Sequence, residues 1–185
     1  MTASWKQYRR QSNRLSGWDY TSPGYYFVTL CSHDRQPFFG AIVSGEMQLS
    51  PIGEIIADEW QKTSLIRENI TLDAWVIMPN HLHAIVIIEQ SQDGVEPPQQ
   101  GTREGPPSKS PKNWQRNSLG TIINQFKSKC TKRIRSAGYP DFGWQSRFYD
   151  HIIRDDQSLT QIRAYIQNNP SQWDLDKENP ERNES

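Results

Sequence analysis

The sequence lacks a long apolar run. No stretch approaches the roughly 20 consecutive apolar residues that a bilayer-spanning helix needs. The first residues, MTASWKQYRRQSNR, lack the apolar core of a signal peptide. The formal net charge is zero at neutral pH, so the overall charge of the chain indicates no anionic partner. We therefore expect a cytoplasmic protein that makes no contact with a membrane.

Cysteine and histidine are both scarce. The two cysteines, Cys31 and Cys130, lie far apart in apolar patterns, which predicts buried free thiols in a reducing compartment. No Cys-x-x-Cys spacing exists, so neither cysteine is predicted to bind a metal. Of the four histidines, two fall within one short motif, and this concentration makes that motif the first candidate for a functional site.

The most apolar part of the chain is the stretch AWVIMPNHLHAIVIIE, residues 74–89. A Pro-Asn pair separates two β-branched runs, which predicts a tight bend between two strands. Side chains two apart on a strand share a face, so His81 and His83 should project together while Leu82 points into the core. Two imidazoles about 6–7 Å apart can share a divalent ion. The His-hydrophobic-His pattern is short, however, and two ordinary surface histidines would also produce it.

Composition divides the chain into three parts. Residues 1–24 form a basic N-terminal arm, residues 25–170 alternate strands and helices, and residues 171–185 form a polar tail that we expect to be frayed. Residues 90–117 within the middle part are rich in Gln, Gly, Pro and Ser. This composition predicts a mobile insertion, and a lid over bound DNA is the less favoured interpretation.

Apolar spacing predicts the elements of the middle part. A strand covers residues 25–31, one helix begins at Ser50-Pro51, and a second helix covers about 118–136. A third helix follows a capping Asp155 or Asp156 and ends at an Asn-Asn-Pro sequence. Alternating strands and helices with antiparallel neighbours predict an α+β, ferredoxin-like sandwich, in which helices pack on a central antiparallel sheet.

Positive charge is concentrated in one third of the chain. Residues 109–154 contain ten Lys or Arg against two acids, a local net charge of +8. Such an asymmetry favours a polyanionic partner, although a charged helix face is often only solvated. The residues predicted to contact this partner, including two in the N-terminal arm, are Arg9, Arg10, Lys127, Lys129, Lys132, Arg133, Arg135, Trp144, Arg147 and Arg154. For Trp144, stacking on a base and packing in the core are equally open.

A metal held by the two histidines needs a further ligand, and Asn169 offers a neutral oxygen. Oxygen ligands beside imidazoles suit Mg²⁺ or Mn²⁺, which can polarise a phosphodiester. Tyr165 lies four residues before Asn169 on the same helix face, so it would be placed beside that phosphate as a nucleophile. Tyr149 is the alternative nucleophile, although on a strand it is as readily part of a packed aromatic ladder.

Three motifs, MPNHLH, WQSRFYDHIIR and AYIQNNP, occur in the order typical of the REP-associated tyrosine transposases, which the chain resembles over about residues 25–170. These proteins belong to the HUH single-strand DNA transposases with one catalytic tyrosine. The resemblance implies a divalent ion on His81 and His83 with Asn169 as the polar ligand. It also implies that Tyr165 cleaves single-stranded DNA through a covalent 5′-phosphotyrosine.

The same resemblance implies the partners of the protein. Its substrates would be hairpins formed by repetitive extragenic palindromes, and the protein would be a monomer or homodimer in the bacterial cytoplasm, nucleoid-associated when bound. The insertion at residues 90–117 distinguishes this chain from shorter members of the group, so the choice of substrate stays open. Two alternatives also stay open: a domesticated protein that binds the hairpin without cutting it, and a metal-dependent RNA phosphodiesterase that forms no covalent adduct.

Overall fold

Strands and helices alternate along the part of the chain that the structure, a computed structural model, describes: residues 15, 17–90 and 118–180. The strands are β1 (Gly24–Cys31), β2 (Gly40–Val43), β3 (Glu46–Leu49), β4 (Ile70–Ile77), β5 (His81–Ile88) and β6 (Tyr149–Ile153), and the α-helices are α1 (Pro51–Leu65), α2 (Leu119–Ser136) and α3 (Asp156–Asn168). Two short 3₁₀ helices cover His33–Arg35 and Pro170–Leu175.

Four antiparallel strands form the central sheet in the order β4-β5-β1-β6. The chain therefore places β1 between β5 and β6, and α1 and α2 each connect strands that are not neighbours. This is the split βαβ arrangement of ferredoxin-like folds. β2 and β3 form a separate hairpin. The predicted α+β sandwich with an antiparallel sheet is confirmed.

The two faces of the sheet bury different sets of residues. One face packs against α1 and α2 in the main core, which contains the apolar stripe of α2: Leu119, Ile122, Ile123, Phe126, Cys130 and Ile134. The other face packs against α3 in a smaller cluster with Phe27, Ile85 and Ile166. Because strand residues alternate between faces, every second residue of β1 and β5 belongs to the α3 side.

The helices begin where the sequence predicts. Ser50 Oγ accepts a hydrogen bond from the Gly53 amide at 3.1 Å, and Asp155 Oδ1 accepts one from the Ser158 amide at 2.7 Å. Such caps satisfy amides that have no partner within the helix. The cap at Asp155 fixes the start of α3 and hence which face of that helix meets the sheet.

The C-terminal residues differ from their prediction. The sequence predicts fraying of residues 171–185, but the described part of this tail continues a 3₁₀ helix that begins at Pro170. It packs across one end of β1 and β5, where Asp176 and Asn179 are buried. Polar contacts hold this segment: Arg35 forms an ion pair with Glu178 at 2.9 Å, and Asn80 Nδ2 donates to the Glu178 carbonyl at 2.8 Å. Composition alone cannot reveal such pairings, because they join residues about a hundred positions apart in sequence.

Some predictions lie outside the described residues. They concern Arg9, Arg10, the insertion from residue 91 onward with its lid interpretation, and residues 181–185. In the part of the chain that is described, none of the helices combines the length and the apolar character that a bilayer span requires.

Both cysteines are buried free thiols, as predicted. Cys130 lies in the main core, and burial raises the pKa of its thiol. Burial raises the pKa of Cys31 to about 12, with a further contribution from Glu178, whose carboxylate lies 3.7 Å from its sulfur atom. The Cys31 thiol is therefore covered by the C-terminal segment, whereas the Cys130 thiol is covered by helices.

Candidate metal and nucleophile site

The two histidines of the MPNHLH motif lie at the start of β5 on the α3 side of the sheet. Leu82, between them, points into the main core. Both histidines are fully buried, at 0% exposure, and their ring centroids are 4.3 Å apart. They are therefore not ordinary surface histidines, and the alternation predicted from the sequence places both rings in one buried site.

The neighbouring amide fixes the orientation of His81. Asn80 Nδ2 donates to the carbonyls of Arg35 and Glu178, at 3.1 and 2.8 Å, so its Oδ1 is the acceptor that faces His81. His81 Nδ1 lies 2.8 Å from that oxygen and must carry the proton. The lone pair of His81 is consequently on Nε2, the nitrogen that points into the site.

His83 is held between β1 and α3. Its Nδ1 lies 2.9 Å from Thr29 Oγ1, and its ring stacks on Phe27 at 5.3 Å between centroids. Its Nε2 lies 3.1 Å from the hydroxyl of Tyr165. Both imidazoles thus use Nδ1 for a neighbouring side chain and present Nε2 to the site, which is the arrangement that outer-shell partners impose on metal-binding histidines.

Helix α3 brings Tyr165 and Asn169 to the same site, and Asp73 anchors this helix to β4 through an ion pair with Arg163 at 2.6 Å. The C-terminal segment then adds Asp176, which the sequence analysis missed. Asp176 Oδ2 accepts hydrogen bonds from Asn169 Nδ2 at 2.9 Å and from the Tyr165 hydroxyl at 3.3 Å. In sequence, Asp176 is one acid among several in a polar tail, and nothing there distinguishes it.

The donor set fits a divalent cation. One ligand atom each from His81, His83 and Asp176 lies within 4.8 Å of the others, and all three residues are buried. Two buried polar atoms at this site, His81 Nε2 and Asn169 Oδ1, have no hydrogen-bond partner among the described residues. Leaving such atoms unpaired is costly, and a cation would satisfy both. Two imidazoles and a carboxylate are a common ligand set for divalent cations.

Burial sets the protonation of the site. It lowers the pKa of His81 well below its usual value and also lowers the pKa of His83, so both rings are neutral at neutral pH, as metal ligands must be. Burial alone would raise the pKa of Asp176, but His83, the Glu178 amide and Asn169 together hold it below its usual value. Burial and the charge of Asp176 raise the pKa of Tyr165, which therefore keeps its proton.

The buried histidines predict how stability depends on pH. In the unfolded chain they bind protons near pH 6.5, but in the folded protein their lowered pKa values keep them neutral, so acid favours unfolding. We expect the free energy of unfolding, measured with urea in metal-free buffer, to fall as the pH drops below about 6.5, by up to about 1.4 kcal/mol per pH unit for each histidine. His81→Gln should flatten this slope, and His151→Gln, on the exposed edge of β6, should not. Equal slopes in His81→Gln and the wild type would contradict the prediction.

Two of the predicted DNA contacts are built into the protein interior. The Lys127 amine is buried and donates to the carbonyls of Gln145 and Arg147 at 2.8 and 3.1 Å, and burial lowers its pKa to about 8. This burial disfavours the predicted contact of Lys127 with phosphates, because its amine is directed into the protein. The half-buried Trp144 packs against Phe39 and other rings of the main core, so core packing is the alternative that the structure supports.

The remaining basic residues are spread over the surface. Helix α2 lies on the sheet face opposite the two histidines, with Lys129 and Lys132 exposed on it. Arg133 forms ion pairs with Asp58 and Glu59 of α1, and its charge is neutralised there. The others are exposed as well: Arg135 donates to the Phe142 carbonyl, Arg147 precedes β6, and Arg154 follows β6 and lies over the Trp18 ring.

Known proteins were compared with the chain as a whole. No protein-family model matches it. An uncharacterized protein of Haemophilus influenzae is 36% identical over 171 residues, which cover 92% of this chain and 93% of the relative. The structure of a REP-associated tyrosine transposase bound to a REP hairpin matches with a TM-score of 0.57 and 16% identity, over 88% of this chain and 74% of the other.

A candidate transposase from Deinococcus radiodurans covers 85% of this chain and 97% of its own, but its TM-score of 0.40 and identity of 14% are too low to carry an argument. The likeness to the REP-associated tyrosine transposase confirms the predicted resemblance at the level of the fold. The sequence identity to the Haemophilus influenzae protein extends over nearly all of both chains and is high enough to show that the two proteins belong to one family. The chain thus belongs to one protein family with this Haemophilus influenzae protein and has the fold of the REP-associated tyrosine transposase.

Proposed function

We propose that this protein is a metal-dependent endonuclease and strand transferase that cuts single-stranded DNA at hairpin-forming palindromic repeats. The observation that carries the proposal is the convergence of the Tyr165 hydroxyl with the buried His81–His83–Asp176 cluster. The fold likeness to a transposase solved with a REP hairpin supports the choice of substrate. A pure hairpin-binding protein has no need for a tyrosine hydroxyl beside buried, unpaired ligand atoms.

In this proposal His81, His83 and Asp176 hold Mn²⁺ or Mg²⁺, with Asn169 Oδ1 as a fourth donor. When bound, the ion polarises the scissile phosphodiester and neutralises charge that develops on its oxygens. The protein contributes the orientation: Asn80 and Thr29 direct the two imidazoles by their Nδ1 atoms. The cluster also lies beside a cavity of about 280 Å³ lined by residues that include Tyr165, Asn169 and Asp176, through which a phosphate could enter.

The proposed reaction starts at the Tyr165 hydroxyl. Its oxygen attacks the phosphorus atom, an O–P bond forms, and the bond from phosphorus to the 3′-oxygen breaks. The phenolic proton passes to Asp176 Oδ2, 3.3 Å away, and from there to the departing 3′-oxygen, whereas the single lone pair of His83 Nε2 would be used by the ion. The products are a 5′-phosphotyrosine and a free 3′-hydroxyl. Because the phosphodiester energy is retained, a second 3′-hydroxyl can reverse the step and join strands.

The DNA outside the site is proposed to meet exposed basic residues. Lys129 and Lys132 remain predicted contacts on α2, and Arg147 and Arg154 remain predicted contacts beside β6. If Lys129 and Lys132 meet phosphates, replacing both with glutamine will flatten the salt dependence of DNA binding. If the salt dependence of the Kd is the same in this variant as in the wild type, Lys129 and Lys132 do not contact the DNA.

The proposal is tested with hairpin oligonucleotides that carry unpaired flanks and a 3′ label. We expect the protein to produce a nicked strand and a slowly migrating covalent species with Mn²⁺ or Mg²⁺, and neither of these with EDTA. RNA hairpins of the same sequence test the phosphodiesterase alternative, which predicts cutting without a covalent species. Tight binding of DNA with no product under any metal condition would favour a hairpin-binding protein and contradict the proposal.

A further inference from the structure

The outer edge of β6 is an open surface beside the proposed site. In the sheet β6 pairs only with β1, and no other described strand lies against its outer side. Tyr149, the first residue of β6, points to the α3 side of the sheet and is 40% exposed. An aromatic ring this exposed at the end of an edge strand contributes little to the core, and the proposed reaction does not use it.

A single aromatic ring separates Tyr149 from the reacting groups. The Tyr149 ring meets Phe27 edge-on at 6.3 Å between centroids, and the same Phe27 contacts Tyr165 at 6.2 Å and stacks on His83 at 5.3 Å. Phe27 holds all three rings on one face of the sheet. Tyr149 therefore lies within the reach of a nucleotide next to the one whose phosphate faces Tyr165.

Positive charge accompanies this ring. Lys177 Nζ lies 5.3 Å from the Tyr149 ring centroid, and Lys177 is the residue directly after Asp176. Arg154 is exposed at the other end of β6. Along this edge a cavity of about 390 Å³ is lined by Tyr149, His151 and Arg154 and also by the carboxylates Asp150 and Asp155. At the Tyr149 end, an exposed aromatic ring lies beside a lysine, and this combination binds unpaired bases and their phosphates.

We propose that Tyr149 stacks on an unpaired base of the DNA strand beside the bond that Tyr165 cuts, and that Lys177 binds a neighbouring phosphate. This inference rests on the proposed function, because it assumes a single-stranded substrate at this site. It assigns to the edge of β6 the stacking role that the sequence analysis left open for Trp144. It also gives Tyr149 a role in positioning the strand rather than in attacking it.

The test uses a synthetic DNA hairpin with an unpaired tail of about ten nucleotides at its 5′ or 3′ end, and one 2-aminopurine in the tail. Proteins carry Tyr165→Phe so that the strand is not cut. We expect 2-aminopurine fluorescence to be quenched on binding and the quenching to be lost in Tyr149→Ala. The Kd for the tailed hairpin should weaken roughly 5- to 140-fold, the range of base–aromatic stacking. Tyr149→Phe should keep the quenching and the affinity of the parent protein. Lys177→Gln should reduce the slope of log Kd against log salt concentration by about 0.7.

The controls separate the possible failures. Tyr139, which is 38% exposed and follows α2, offers a matched substitution, and Tyr139→Ala should keep both quenching and affinity. If Tyr149→Ala leaves quenching and affinity unchanged, this inference is overturned and the proposed function is not. The same holds if Tyr149→Ala weakens the affinity for a hairpin without a tail as much as for the tailed hairpin. A dimer in sedimentation that Tyr149→Ala dissociates would instead assign the edge to a second copy of the chain and overturn the inference. A parent protein that binds no tailed hairpin would overturn the proposed function together with it.

Discussion

Tyr165→Phe is expected to abolish the covalent protein–DNA species while DNA binding and the fold survive. The substitution removes one oxygen atom and keeps the ring contacts with Phe27 and His83. The hydroxyl it removes lies 3.1 Å from His83 Nε2 of the cluster and 3.3 Å from Asp176 Oδ2, the group that takes its proton in the proposed reaction. Since the reaction has no other nucleophile at this position, cleavage should fall by a factor on the order of 10⁴ or more.

The measurement is a denaturing gel of single-stranded substrate labelled at its 3′ end. The wild type and Tyr139→Phe should give the slow protein–DNA band, and Tyr165→Phe should give none. Equal melting temperatures of the three proteins would show that the fold is intact. A band that persists in Tyr165→Phe and disappears in Tyr149→Phe would make Tyr149 the nucleophile and reverse the assignment.

Loss of either histidine should abolish cleavage and metal binding while hairpin binding remains. His81→Ala or His83→Ala removes one of three ligand atoms from the cluster, whereas the basic surface that would hold the strand lies elsewhere. The affinity for Mn²⁺ should fall by more than the roughly 10- to 100-fold that the loss of an outer-shell partner costs. Asp176→Asn keeps the shape of the side chain and removes its charge, so it should also weaken Mn²⁺ binding. Asn169→Ala should have a milder effect, because water can replace a neutral ligand.

Titration calorimetry with Mn²⁺ separates these effects from damage to the fold. His33→Ala is the matched control, since the His33 side chain is exposed and does not belong to the cluster. A histidine variant that binds Mn²⁺ or cuts DNA like the wild type would refute the metal site. Unchanged Mn²⁺ affinity in Asp176→Asn would restrict the site to the histidines and the Asn169 oxygen.

Periodicity predicted the parts of the structure that depend on alternating burial. The stripe of α2 lies in the main core, and His81 and His83 share a face because strand side chains alternate. The four-residue spacing of Tyr165 and Asn169 placed both at the site for the same geometric reason. These features are local, so a window of a few residues contains the information needed to predict them.

Features that depend on tertiary contacts could not be predicted. Asp176 reaches the cluster only because Arg35 and Asn80 bind the segment that carries it. Lys127 differs from Lys129 and Lys132 only by its position on the helix, and its burial depends on where the chain returns after α2. Only the position of Lys127 on the helix gave a signal, because it lies four residues after Ile123 and three before Cys130, on the apolar stripe itself.

The different surroundings of the two thiols make Cys31 a natural chemical reporter. Its sulfur atom is covered by Glu178 of the C-terminal segment, whereas Cys130 is enclosed by helices in the main core. Movement of that segment would expose the Cys31 thiol to a reagent such as Ellman's reagent without exposing the Cys130 thiol. The ratio of the two labelling rates therefore measures, without any introduced probe, how often Asp176 leaves the site, and Cys130 corrects the measurement for global unfolding.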